Sequence, residues 1–313
     1  MIKTNYSNLI LFILFVFFIG CNPNSKQSAS LDVESTVANA ILCDSIKANL
    51  KSKVVFNSSE SLKIVSWNIQ DLGQSKSDDE IDFIVNAVKD FDLVAIQEVV
   101  AKHPAGAQKV AQIAEGLNRK GFKWDYRISN PTNSPSAKMS ERYAYIWKTS
   151  RLDIVGSPYL DSKLASKIIR EPFISKFKLK SKNIAFYIVN FHSRKHNDQP
   201  EIEIEHFQYY LDRLSTQKLI IAGDFNLSEK HKVWNGLYKQ GFKSALNDSK
   251  TTLKQKCKKN KYLSHEIDNV YFSKDIKFLK SGVIDYVETC ANLKAARLIS
   301  DHLPVFLEFT INE

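Results

Sequence analysis

The sequence predicts an α/β protein built of two mixed β-sheets packed face to face, with helices on the outside. Three observations carry this. Eight apolar, strand-like runs recur between residues 62 and 309, and several alternate apolar with polar positions, as a sheet with one buried face requires. Three helix-like patterns lie among them, so strands outnumber helices. Some strands follow one another directly, which favours separate layers over a doubly wound parallel sheet.

The elements run as follows. A strand at 62–69 precedes a helical pattern at 81–91, and a short apolar strand at 93–96 precedes a second helix at 107–117. Strands at 144–147, 173–177 and 184–191 come next. The third helix, 201–214, places Ile202, Ile204, Phe207, Tyr210, Leu211 and Leu214 at helical spacing. Strands at 219–222, 267–272 and 305–309 complete the set, the last opened by Asp301 and His302. There is no internal repeat and no coiled-coil heptad.

The first sixty residues stand apart. Lys3 precedes an apolar run from Leu9 to Ile19, followed by Gly20 and Cys21. A basic start, a short apolar core and a small residue before cysteine describe an export signal. The run is shorter than the ~20 apolar residues that span a bilayer comfortably. Phe18-Ile19-Gly20-Cys21 resembles a bacterial lipobox, whose cysteine is lipidated, although Phe18 stands where leucine is usual. Residues 1–20 are therefore expected to be a lipoprotein-type signal peptide. Residues 21–60, rich in Ser, Asn and Lys, are expected to be a flexible tether, and 61–313 one domain. The expected location is outside the cytoplasm, as a cell-envelope lipoprotein or a secreted protein.

The chain carries a net charge of +10, and removing residues 1–20 takes away Lys3 alone, leaving +9. Such an excess on an exported protein favours polyanions, nucleic acid among them, or anionic membrane surfaces. Four cysteines, one of them the lipobox Cys21, exclude a framework of many disulfides. One bridge at most remains, and Cys257 with Cys290 is one pairing for it. No Cys/His cluster has zinc spacing.

Chemistry-bearing residues break the apolar pattern at the strand ends. Asn68 follows Val65-Ser66-Trp67, and Gln97-Glu98 follows the run at 93–96. Asn190-Phe191-His192-Ser193 and Gly223-Asp224-Phe225-Asn226 end two more strands, and Asp268 lies within another. Taken singly, each has an ordinary reading as a turn residue, a surface acid or a satisfied histidine. Together they place carboxylates, amides and two imidazoles on the rims of sheets, where rigid scaffolds carry sites. The set suits hydrolysis of a phosphate ester. Glu98 and the Asn68 amide oxygen are hard oxygen donors of the kind Mg²⁺ takes. A histidine oriented by a carboxylate can accept a proton from water.

The order of these motifs resembles the endonuclease/exonuclease/phosphatase superfamily, and within it most closely the deoxyribonuclease I branch. The stretches that carry the likeness are Trp67-Asn68-Ile69, Ile96-Gln97-Glu98-Val99, Glu141-Arg142-Tyr143, Arg170-Glu171-Pro172, His192-Ser193, Gly223-Asp224-Phe225-Asn226, Ile267-Asp268 and Ser300-Asp301-His302-Leu303-Pro304. The resemblance implies a four-layer α/β sandwich and a metal-dependent phosphodiesterase. It implies a divalent ion, Mg²⁺ or else Mn²⁺ or Ca²⁺, at Glu98 and Asn68, with Asp301 completing the metal and phosphate shell. It makes His192 and His302 the catalytic imidazoles, oriented by Glu141 and Asp268. Asp224 and Asn226 would contact a second ion, the attacking water or the phosphate, and Arg170 would pair with a substrate phosphate.

Two positions depart from that branch. Val100 stands where an arginine reaches into the DNA minor groove, and Met139 where a tyrosine packs on a sugar. Lysine-rich segments at 254–261 and 176–182 offer sequence-independent phosphate affinity instead, or are solvated loops. The leading expectation is a monomeric exported endonuclease cutting DNA without sequence preference. The alternatives are a phosphodiesterase or phosphatase acting on phospholipid headgroups or inositol phosphates, and a non-catalytic lipoprotein binding polyanions.

Overall fold

The computed structural model describes residues 61–311. The expected signal peptide (1–20) and tether (21–60) lie outside the described residues.

Two mixed sheets form the centre. The first has strand order β14 (Ile276–Val283), β15 (Val305–Ile311), β1 (Leu62–Leu72), β2 (Leu93–Val100), β4 (Glu141–Lys148), β3 (Trp124–Ile128). The second runs β10 (Lys243–Ser244), β13 (Asp268–Phe272), β9 (Leu219–Asp224), β8 (Ile184–His192), β7 (Phe173–Leu179), β5 (Leu152–Ile154), with β6 (Tyr159–Leu160) also on β7. Each sheet holds one parallel pair, β1 with β2 and β8 with β9, among antiparallel ones. A separate hairpin joins β11 (Leu253–Lys258) to β12 (Lys261–Leu263).

Period-two alternation sorts the layers. Ile64, Leu93, Ala95 and Tyr145 of the first sheet face Phe177, Phe186, Ile188, Ile220 and Val270 of the second in one buried cluster. Their neighbours Val65, Trp67, Val94 and Ile96 point the other way, against α1 (Asp78–Val88) and α2 (Ala105–Asn118). Val189, Ile221 and Tyr271 cover the opposite face of the second sheet with Phe207, Tyr210 and Trp234. The order is helices, sheet, sheet, helices, the expected four-layer sandwich. Each such large apolar side chain contributes about 1.5–3 kcal/mol by leaving water.

α1 starts where the sequence places a capping box: Ser77 accepts from the Glu80 N–H, and the Glu80 carboxylate accepts from the Ser77 N–H. The helix expected at 201–214 is instead three pieces: α3 (Glu201–Ile204), a 3₁₀ segment (Glu205–Tyr209) and α4 (Tyr210–Arg213). This winding stacks Phe207 on Tyr210 at 5.5 Å and keeps both rings buried. α5 (Asn235–Tyr238) and α6 (Leu293–Ile299) are short.

The sheets are pinned to each other by buried amides. Gln97 Nε2 donates to Asn190 Oδ1 at 2.6 Å and to Ser66 Oγ at 3.0 Å, and Asn190 Nδ2 donates to the Ile96 carbonyl at 3.0 Å. Unpaired, such groups would each cost about 1–3 kcal/mol, so they fix how the two sheet ends meet.

Asp301 and His302 do not open the last strand, which begins at Val305. Pro304 has no N–H for the ladder. The residues before it are clamped by side chains: Ser300 Oγ donates to the Asn68 carbonyl (2.7 Å) and accepts from the N–H groups of Gln70 and His302 (both 3.1 Å). Trp67 Nε1 donates to the His302 carbonyl at 2.8 Å.

Candidate active site

Register puts three predicted residues in one row. On the second sheet, Asp224 is paired with His192 of β8 on one side and with Asp268 of β13 on the other. Cross-strand partners project from the same face, so these side chains share a rim. Gly223 permits the close pairing: a Cβ there would lie 1.8 Å from the Phe191 carbonyl oxygen, and its φ is +153°.

The first sheet supplies the facing groups. Asn68 ends the regular part of β1, where the pairing with β2 shifts register. Glu98 sits in an irregularity of β2 with φ +61°, a conformation disfavoured for a non-glycine residue. The bulge turns its carboxylate to the cleft, where Oε1 accepts from Asn68 Nδ2 (3.0 Å) and Oε2 from the Asp71 N–H (3.2 Å). Asn68 Nδ2 also donates to Asp224 Oδ2 at 3.1 Å, joining the two sheets.

Two carboxylate–imidazole pairs result. His192 Nδ1 lies 2.9 and 3.2 Å from the Glu141 oxygens, and His302 Nδ1 lies 3.0 Å from both oxygens of Asp268. Both Nε2 atoms turn to Asp224 Oδ2, at 3.4 Å from His192 and 3.7 Å from His302. Burial pushes Glu141 up, but His192 and Arg170 outweigh it and hold the carboxyl below its usual range. Burial and Arg170 push His192 down, while Glu141 and Asp224 prevail and raise it. Arg170 Nη2, which can only donate, lies 3.1 Å from His192 Nε2, so in this arrangement that nitrogen presents its lone pair.

His302 is raised as well. Burial lowers it, but Asp268 and Asp224 push it up to about 10. Burial and Asp224 also raise Asp268. The pair competes for one proton, which we place on His302 because Asp268, Asp224 and Asp301 surround its ring within 4 Å. Thr251 Oγ1 donates to Asp268 Oδ2 at 2.6 Å and holds that carboxylate in place.

The pairs open on a cleft of about 660 Å³, whose lining includes Glu98, Glu141, Arg170, His192, Asp224 and Asn226. Arg170, 8% exposed, is fixed by Glu141 (3.2 Å) and by the Ser193 carbonyl (3.0 Å). Asn226 adopts φ +50°, with its N–H donating to Asp224 Oδ1 at 2.9 Å. The structure thus brings together Asn68, Glu98, Glu141, Arg170, His192, Asp224, Asn226, Asp268 and His302. Asp301 joins them at the margin, with Oδ1 3.9 Å from His302 Nε2 and Oδ2 3.7 Å from Arg297 Nη2.

Sequence reading missed three contributors. Thr251 lies in a stretch with no distinguishing pattern. Tyr143 stands beside Glu141 and Arg142, yet nothing there marks its hydroxyl, which accepts from the His192 N–H at 3.2 Å. Lys76 is buried: its Nζ donates to the Leu298 carbonyl at 2.9 Å, and burial lowers its pKa against the charges of Glu80 first and then Asp71, Glu98 and Asp301. A lone lysine after a serine carries no signal of this.

The donors fit a hard divalent ion. Glu98 faces the cleft, and Asn68 Oδ1 is a buried oxygen with no hydrogen-bond partner among the described residues. Asp224, Asp268 and His302 also present ligand atoms within 4.8 Å of one another, a possible metal site. In that trio, however, His302 Nδ1 is engaged by Asp268, and a protonated imidazole is no ligand. Glu98 and Asn68 are the better match.

Solved structures place the architecture. An endonuclease/exonuclease/phosphatase family protein from Bacteroides thetaiotaomicron superposes with a TM-score of 0.60 at 19% identity, covering 81% of this chain and 98% of that one. The fold is that of the endonuclease/exonuclease/phosphatase superfamily. The curated proteins that this chain is similar to are deoxyribonucleases. One, from Thioalkalivibrio sp. (strain K90mix), is 26% identical over 273 residues, 80% of this chain and 72% of that enzyme. Deoxyribonuclease-1 of Oryctolagus cuniculus is 27% identical over 192 residues, 58% of this chain and 66% of that one. No family model matches the chain.

Proposed function

We propose that the chain is a divalent-metal-dependent endonuclease that hydrolyses DNA phosphodiester bonds. The observation that carries the reading is the pair of carboxylate-bound imidazoles meeting at Asp224 beside Glu98. Similarity to deoxyribonucleases supports DNA as the substrate. The superfamily fold alone does not select it, because one fold hosts many chemistries.

With Arg170 turned from His192 Nε2 onto the phosphate, the freed lone pair accepts the proton of the attacking water while Glu141 holds the imidazolium that forms. The water oxygen bonds to phosphorus, and the bond from phosphorus to the leaving sugar oxygen breaks. His302, already protonated, gives its Nε2 proton to that oxygen. Arg170 and Asn226 hold the phosphoryl oxygens. Glu98 and Asn68 would hold a divalent ion, Mg²⁺ in our reading, and such an ion would supply Lewis-acid stabilisation of the charge that develops. In this reading the protein acts as an exported monomer without sequence preference, and Cys21 carries a lipid that tethers it to the envelope.

A second substrate class, phospholipid headgroups or inositol phosphates, is kept open by Val100 and Met139 at the cleft and is suited by the positive charge and the expected membrane tether. Supercoiled plasmid, sphingomyelin and an inositol phosphate, each offered with Mg²⁺ and with EDTA, separate the two. We expect Mg²⁺-dependent nicking. Hydrolysis of the lipid or inositol substrate with plasmid left intact would overturn the nuclease reading.

A further inference from the structure

The β11–β12 hairpin is a concentrated charge built onto the site. Residues 254–261 hold five lysines and no acid. Lys256, Lys258, Lys259 and Lys261 are exposed, and among the described residues none of the five pairs with a carboxylate. Like charges at such density repel one another, so this strand pair would not hold by itself. It is held from outside. A disulfide joins Cys257 to Cys290, the Tyr262 hydroxyl donates to Asp285 (2.6 Å), and Arg297 Nη1 donates to the Leu253 carbonyl (3.0 Å).

Its base is continuous with the catalytic groups. The Leu253 N–H donates to the Asp301 carbonyl at 2.8 Å, Thr252 bridges to His302, and Thr251 holds Asp268. From Leu253 to the turn at Lys258 the strand covers about 17 Å, at ~3.3 Å per residue. That is the rise of about five base pairs of duplex.

We propose that this disulfide-anchored hairpin is a second binding surface for the phosphate backbone of the nucleic acid cut at Asp224, a partner assignment that rests on the nuclease reading. A solvated loop that served only solubility would need neither three anchors nor a root on the catalytic His302. The surface takes over the affinity that the arginine position filled by Val100 does not supply, and being charge alone it reads no sequence.

The test compares the full chain with two variants of equal charge loss. One changes Lys256, Lys258, Lys259 and Lys261 to Gln. The other changes Lys176, Lys178, Lys180 and Lys182 to Gln, at the end of β7 and β8 remote from His192. Binding to a 20-base-pair duplex is measured across salt in EDTA, where no cutting is required. We expect the hairpin variant alone to bind about tenfold more weakly at low salt, with a salt slope shallower by about 2, at ~0.9 for each phosphate no longer neutralised. Its turnover of bis(p-nitrophenyl) phosphate with Mg²⁺ should equal wild type. Equal losses in the two variants, or no loss in either, would overturn the proposal. So would unchanged DNA binding with lost binding to phosphatidylglycerol vesicles, which would make the hairpin a membrane surface. A wild type that binds duplex through the hairpin but does not nick it would instead refute the nuclease reading and leave the hairpin standing.

Discussion

His192 and His302 direct their Nε2 atoms at one oxygen, Oδ2 of Asp224, from 3.4 and 3.7 Å. Each ring is held from behind by its own carboxylate, Glu141 or Asp268, so neither can turn away without losing that bond. The arrangement gives two imidazoles opposite tasks, because Arg170 faces one and three carboxylates surround the other.

Replacing Glu141 with Gln tests the His192 half. The neutral amide keeps the shape but removes a negative charge that raises His192. The imidazole then loses its proton at lower pH, so the acid limb of the kcat/KM profile moves to lower pH. The rate falls by roughly 10²-fold or more, since a base without its orienting acid is the weaker catalyst. A pH–rate profile with an unmoved acid limb would place the accepting group elsewhere.

Glu98 is tested through the ion. Glu98→Gln takes away the charged oxygen donor facing the cleft, and the Mg²⁺ concentration for half-maximal nicking should rise about tenfold or more. The same Mg²⁺ requirement in the variant and wild type would show that the ion is held by other groups.

His302 links stability to pH. Its folded pKa, about 10, lies above the unfolded value of 6.5, so the protonated ring stabilises the fold fully below pH 6.5. That contribution is lost as pH climbs from about 6.5 through about 10. Urea unfolding of wild type should show falling stability across that window, and Asp268→Asn, which removes the first of the raising charges, should flatten the fall. Parallel curves for the two proteins would refute the assignment of the proton to His302.

Gly223 is predicted to be irreplaceable for packing. In Gly223→Ala the new methyl would overlap the Phe191 carbonyl, and moving β8 from β9 would separate His192 from Asp224. We expect a loss of about 3 kcal/mol or more, or failure to fold. Thermal unfolding within two degrees of wild type would contradict this.

What the sequence disclosed follows from where the signals lie. Strands such as β1 and β8 bury both faces, one on the facing sheet and one on a helical layer, so they read as nearly continuous apolar runs, and their polar ends stood out against them. β14 did not stand out, because it is an edge strand with Lys277, Phe278 and Leu279 all exposed, so its pattern carries no period. The β11–β12 hairpin is crowded with lysines and is held by a disulfide and by neighbours distant in sequence, which no local pattern encodes. Within the site, the acids and imidazoles were visible as residue types. The row formed by His192, Asp224 and Asp268 was not, because it depends on the register of three strands. The clamp around Ser300 was also hidden, since it consists of hydrogen bonds to β1 more than two hundred residues away.

The central claim is that Asp224 joins a proton-accepting His192 and a proton-donating His302 into one phosphodiesterase site. The most direct test is the initial rate of supercoiled plasmid nicking by Asp224→Asn at saturating Mg²⁺, with folding verified by unfolding temperature. A folded variant slowed by about 10³-fold or more is the result this account predicts. A folded variant nicking within threefold of wild type would contradict it.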